Sequence, residues 1–128
     1  DEIDLDIYVP HYSKLAIPVE DIKNYTSNIE GFKVISKEAL LVLKQGAELD
    51  RRDSVKGEKD RNDIISLLFF SSLNYKIYSE ILKKYSLENY LKEIIYVLRN
   101  FRDYNSMNLA PRQFKLKKEK ILKELKKL

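Results

Sequence analysis

The chain has 128 residues, 44% of them apolar, which is enough for one modest core and too little for two. It has no cysteine, which excludes a disulfide scaffold, a thiol nucleophile and a cysteine-based zinc site; its one histidine, His11, excludes a His-cluster metal site built by a single chain. The formal charge of +4 is uneven: residues 111–128 hold eight Lys or Arg against two Glu, which is +6, so the rest of the chain sums to −2.

Ile3, Leu5, Ile7 and Val9 alternate with Asp4, Asp6 and Tyr8, a period of two that predicts a strand with one apolar face. Asp4 and Asp6 then share the other face, about 6.6 Å apart. Pro10 ends the strand because it has no N–H for a ladder. Leu15 to Ile17 form a second short apolar run stopped by Pro18. Glu20 to Tyr25 read as a helical turn or short helix, and Phe32 to Ile35, after Gly31, as another short strand.

Ser36 is placed to cap a helix carrying Leu40, Leu43 and Ala47, which fades near Leu49. Residues 50–62 are almost wholly polar and predict a charged loop turning at Gly57. A second helix is expected from Lys59 or Asp60 to Asn74, burying Ile64, Ile65 and Leu68. Ile77, Ile81, Leu82 and Tyr85 define a shorter helix. Ser86 is placed to cap the next, with Leu87, Leu91, Ile94, Leu98 and Phe101 at heptad spacing. Residues 102–110 read as a linker or turn. Pro111 opens a last, basic amphipathic helix over 111–128 with a stripe of Phe114, Ile121, Leu125 and Leu128.

Strands first and helices after make this an α+β chain: a strand-rich stretch over 1–35, then a mainly α-helical bundle over 36–101 and the terminal helix. A few strands at a domain start need further strands for stability, and Asp1 is not an initiator methionine, so a sheet that has lost its first members is expected. No run of 18 apolar residues offers a membrane span, and with no signal peptide or cysteine the expected location is cytoplasmic.

The stretch FKVISKEALLVLKQGAELDRRDSVKGEKDRNDIISLL, residues 32–68, carries three linked pieces: a strand ending in V-I-S, the helix E-A-L-L-V-L-K, and K-D-R-N-D-I opening the next helix. This combination resembles the region after the catalytic strands in polymerase-beta-like nucleotidyltransferases, in particular the abortive-infection toxin type, over roughly residues 3–70. The resemblance implies that short N-terminal strands are the remnant of a nucleotidyltransferase sheet. It implies that Lys44, Lys59 and Arg61 face a nucleotide's phosphates and that Asp60 and Asp63 support them. It also implies Mg²⁺ and a nucleoside triphosphate as cofactors of the full-length protein. The third metal-binding carboxylate of that family would be Asp6, the catalytic candidate, with Asp4 the alternative ligand. Taking Asp4-x-Asp6 as the family's first carboxylate pair is less favoured, since a Gly-Ser motif should precede it and the chain contains none. These 128 residues alone are therefore expected to be inactive. Acceptors implied are tRNA, a protein hydroxyl or a small molecule, and toxin–antitoxin behaviour is an option.

The residues also carry plainer readings. Asp60 and Asp63, three apart, share one face of a helix, where acids near a start act as caps. Lys44 at the edge of an apolar stripe covers apolar surface as readily as it enters a cleft, and the Asp–Arg pairs can lock two helices together. Asp4 and Asp6 on an edge strand would block aggregation. His11 is an ordinary loop residue, and the five tyrosines over 75–96 are core or partner surface. The terminal helix packs on the bundle, pairs with a second copy as a homodimer, or binds nucleic acid. The competing function is a non-catalytic helical protein-interaction or oligomerisation module.

Overall fold

The computed structural model describes residues 15–128, so Asp4, Asp6 and His11 lie outside the described residues. The chain is α+β with mainly helical content. A short helix α1 (Val19–Ile22) and a 3-10 turn (Lys23–Tyr25) lead into β1 (Thr26–Ile29) and β2 (Phe32–Ile35), an antiparallel hairpin with Thr26 opposite Ile35 and Ile29 opposite Phe32. Helices α2 (Lys37–Asp50), α3 (Val55–Phe70), α4 (Tyr75–Lys84), α5 (Asn89–Asn100) and α6 (Pro111–Lys126) follow.

Strand β1 has no signature in Thr-Ser-Asn-Ile, because three of its four residues are exposed and no apolar alternation marks it. The signal lies in the turn instead. Glu30 and Gly31 take φ of 51° and 86°, the doubly positive pair of a two-residue hairpin loop. The hairpin closes at its base where the Ser36 N–H donates to the Tyr25 carbonyl at 2.7 Å. Behind it, the Tyr85 hydroxyl donates to Asp21 at 2.9 Å and ties α1 to α4.

Helix α2 begins at Ser36, whose hydroxyl accepts from the Ala39 N–H, and it is buried almost all round: Ala39, Leu41, Val42, Leu43, Gln45 and Glu48 are all inaccessible. A helix with almost no solvent-facing side sits among others, and α2 packs against α3, α4 and α5. Its first turn is also pinned across the fold, where Glu38 accepts the Asn74 N–H at 2.7 Å.

The charged stretch expected as a loop over 50–62 is helical from Val55. The connector is only Arg51–Ser54. Polarity misleads here because the first turn of α3 faces outward while a Ser54 cap, accepting from the Gly57 N–H at 3.1 Å, does the nucleating. Asn74 does not end α3, which stops at Phe70. Its side-chain oxygen accepts the Lys76 and Ile77 N–H groups and starts α4.

Ser86 is likewise not the cap of α5. It takes φ 56° and closes α4, with its N–H bonded to the Lys83 carbonyl and the Leu87 N–H to the Leu82 carbonyl at 2.7 Å. That pair of reverse bonds is the Schellman stop, here formed without glycine. The stretch after α5 holds a 3-10 turn, Tyr104–Met107.

Pro111 is the first residue of α6, and Phe114, Ile121 and Leu125 are buried against α3 and α5, while Leu128 is not. Phe114 stacks on Phe69 with ring centroids 5.3 Å apart, and Phe101 and Tyr104 close around it. Lys118 donates to the Arg99 and Phe101 carbonyls at the end of α5; partial burial and the nearby Arg102 push its pKa below the usual lysine value. The buried apolar residues of α2 through α6 join Ile17 in one cluster.

Inside that cluster one polar chain is satisfied end to end. The Tyr78 hydroxyl donates to Gln45 Oε1 at 2.5 Å, and Gln45 Nε2 donates to the Tyr90 carbonyl at 3.0 Å. Burial pushes the Tyr78 phenol well above its ordinary pKa. Tyr78→Phe strands the Gln45 acceptor in a dry site, so a loss of about 1–3 kcal/mol is expected in urea unfolding. An unchanged midpoint would show that the bond contributes nothing.

Candidate functional site

Helices α2 and α3 are joined by a band of charge running along their contact. Lys44, Glu48, Arg51 and Arg52 come from α2 and its end, and Asp60, Arg61 and Asp63 from α3. Spacings of three and four residues put Lys44, Glu48 and Arg52 on one face of α2 and Asp60 and Asp63 on one face of α3, while Arg61, one turn position away, reaches back to Glu48 with its long side chain.

Glu48 is the centre of the band, at 1% exposure. It accepts from Arg52 Nε and Nη2, both at 2.9 Å, and from Arg61 Nη1 at 3.0 Å. Arg61 also donates to the Arg52 carbonyl, and Arg52 reaches on to Glu93 of α5 at 2.8 Å while its guanidinium lies over the Tyr96 ring. Asp60, 2% exposed, holds Arg51 by two bonds of 2.7 and 3.0 Å. Lys44 meets Asp63 at 3.0 Å.

Burial by itself would raise the Glu48 pKa, but the hydrogen bonds and charges of Arg52 and Arg61 outweigh it, and the carboxyl is held below its usual value. The Arg51 and Arg52 guanidiniums are held in their charged form by Asp60 and by Glu48 with Glu93.

The fold thus brings together Lys44, Asp60, Arg61 and Asp63. It leaves Lys59 exposed, outside the band, and Asp4 and Asp6 lie outside the described residues. Asp60 and Asp63 do share the α2-facing side of their helix. Because α3 starts at Val55, however, Asp60 lies beyond the first turn and does not cap it. Sequence reading passed over Glu48, Arg51, Arg52 and Glu93. Its available clue was the ladder Lys44–Glu48–Arg52, a four-residue repeat of charge crossing an otherwise apolar helix.

Four cations (Lys44, Arg51, Arg52, Arg61) face four carboxylates (Glu48, Asp60, Asp63, Glu93), so the band is electrically closed. A triphosphate would have to strip Lys44 or Arg61 from a carboxylate already bonded to it. Among the described residues no group of three His, Cys, Asp or Glu is placed to hold a metal ion, and no helix is long and apolar enough to cross a membrane. Comparison with protein-family models, with curated proteins and with solved structures finds no match to this chain.

Proposed function

We propose that this chain is the helical portion of a nucleotidyltransferase-like protein, in which Asp60, Arg61 and Asp63 of the Lys-Asp-Arg-x-Asp segment, with Lys44, are a brace rather than a phosphate cradle. One observation carries the reading: the motif residues Lys44, Asp60, Arg61 and Asp63 all fall on the single α2–α3 contact. Their work in that protein is to hold the two helices at a fixed angle. Nucleotide and metal would be handled by strands bearing carboxylates, of which Asp6 is the candidate on this chain.

The second reading, a non-catalytic helical interaction module, is favoured by the closure of the same charge band. The two separate in an assay with labelled nucleoside triphosphates, Mg²⁺ and tRNA or protein acceptors. On the first reading these 128 residues give no turnover. The open reading frame extended upstream supplies Gly-Ser…Asp-x-Asp and labels an acceptor, and Asp6→Ala abolishes labelling without moving the Tm. An upstream frame without that motif, or labelling indifferent to Asp6→Ala, overturns it in favour of the second.

A further inference from the structure

We infer that the face of α6 beside Phe70 binds single-stranded nucleic acid, a function that stands whether or not the protein transfers nucleotides. The argument starts from how the fold uses this helix. Its stripe of Phe114, Ile121 and Leu125 is consumed by α3 and α5. A helix that lies in a membrane surface needs its apolar face free, and so does one that zips to a second copy. Neither use is open to α6. What it presents outward is mostly cationic, with Leu116 and Glu119 set among the lysines.

Lys117, Lys120 and Lys123 are exposed, and among the described residues none has a carboxylate within ion-pair distance. At three-residue intervals they spiral through roughly 120° of the helix, from the edge of the core to the outer face. Lys118, which is tied to the end of α5, is not one of them.

Beside this row is a groove of about 400 Å³ between α6 and the end of α3, lined by Phe70, Ser71, Ser72, Tyr75, Lys117 and Lys120 among others. Phe70 is 58% exposed, unusual for a phenylalanine with a core beneath it, and the Lys117 ammonium stands 5.4 Å from its ring centroid. An exposed ring next to a line of cations offers a base something to stack on while its phosphates meet the lysines. Two serine hydroxyls lie alongside. The opposing charge at the rim is Glu124, which Lys127 engages at 3.5 Å. Duplexes hide their base faces, so the exposed ring selects for unpaired strands.

Fluorescence anisotropy with a labelled single-stranded RNA of about 12 nucleotides tests this on the whole chain. If three phosphates are neutralised, the log–log salt slope should be about −2, so affinity falls about 20-fold between 50 and 200 mM salt. The triple variant Lys117→Glu, Lys120→Glu, Lys123→Glu should flatten that slope. Phe70→Ala should weaken binding about tenfold and leave the slope unchanged. Thermal melts of both variants, altered only at exposed positions, confirm that the fold is kept. Parallel arms use single-stranded DNA, a duplex of the same length and vesicles containing phosphatidylserine. Preference for RNA over single-stranded DNA or equality between them both fit the site and identify the sugar it accepts. Binding without salt dependence, tighter binding to the duplex or the vesicles, or full affinity in Phe70→Ala overturns the proposal.

Discussion

Gly57→Ala should cost the protein about 3 kcal/mol or more, the upper end of what overpacking does. In an exposed helix the same change would gain about 1 kcal/mol, because alanine is the better helix former. Here a Cβ would stand 2.1 Å from the Arg51 carbonyl oxygen and 2.9 Å from that of Arg52. Both obstacles are backbone, so no rotamer change relieves them. The connector Arg51–Ser54 would have to move off α3, taking with it the Ser54 cap and the bidentate Arg51–Asp60 pair. Gly46→Ala is the control. Its Cβ would meet the Ala16 methyl at 3.1 Å and the Tyr90 hydroxyl at 3.3 Å, contacts that a small shift opens. Urea unfolding of the pair should show Gly57→Ala far below wild type and Gly46→Ala within about 1 kcal/mol of it. A Gly57→Ala protein as stable as the parent would mean that the close approach at this turn is not real.

Glu48→Ala should be comparably severe, at about 3 kcal/mol, the low end for breaking a buried ion pair. Arg61 would keep only the Arg52 carbonyl, and Arg52 only Glu93 and the Tyr96 ring. The loss stays at the low end because the two arginine side chains are 32% and 31% exposed, so water reaches the charges left behind. Glu48→Gln keeps the shape and should lose less. It should also change the response to acid. The Glu48 carboxyl titrates below its usual 4.5 in the folded chain, so its contribution is complete above that pH and disappears as the pH drops through the folded value. Tm measured from neutral pH downward should fall more steeply in wild type than in Glu48→Gln. Parallel curves would show that Glu48 is not the group responsible.

The helices could be read from the sequence wherever apolar spacing and an opening residue agreed, as at Ser36 and at Pro111 with Phe114, Ile121 and Leu125, although the buried side of α2 is Ala39, Leu41, Val42 and Leu43, with the expected Leu40 and Ala47 only half-buried. Reading failed where one residue type serves two purposes. Gly57 signals a turn by composition, yet it is needed inside α3 because another backbone passes close by. Asn74 and Ser86 mark boundaries, but which side of the boundary each serves depends on φ and on bonds to the neighbouring helix. The charged motif was visible as residues but not as partners. Asp60 bonds a side chain nine residues back and Arg61 one thirteen back, separations fixed only once α2 and α3 are laid together. Glu93 enters from α5, beyond any local pattern.

Because α2 keeps almost no side for solvent, it is the shared wall of three neighbouring helices rather than a partner to one. Remove its order and α4 loses its main support, while α3 and α5 keep only what α6 offers each of them, too little to hold short helices in water. The helical body is therefore expected to melt as one cooperative unit. The hairpin, largely clear of that wall, is free to fray while the rest stays whole.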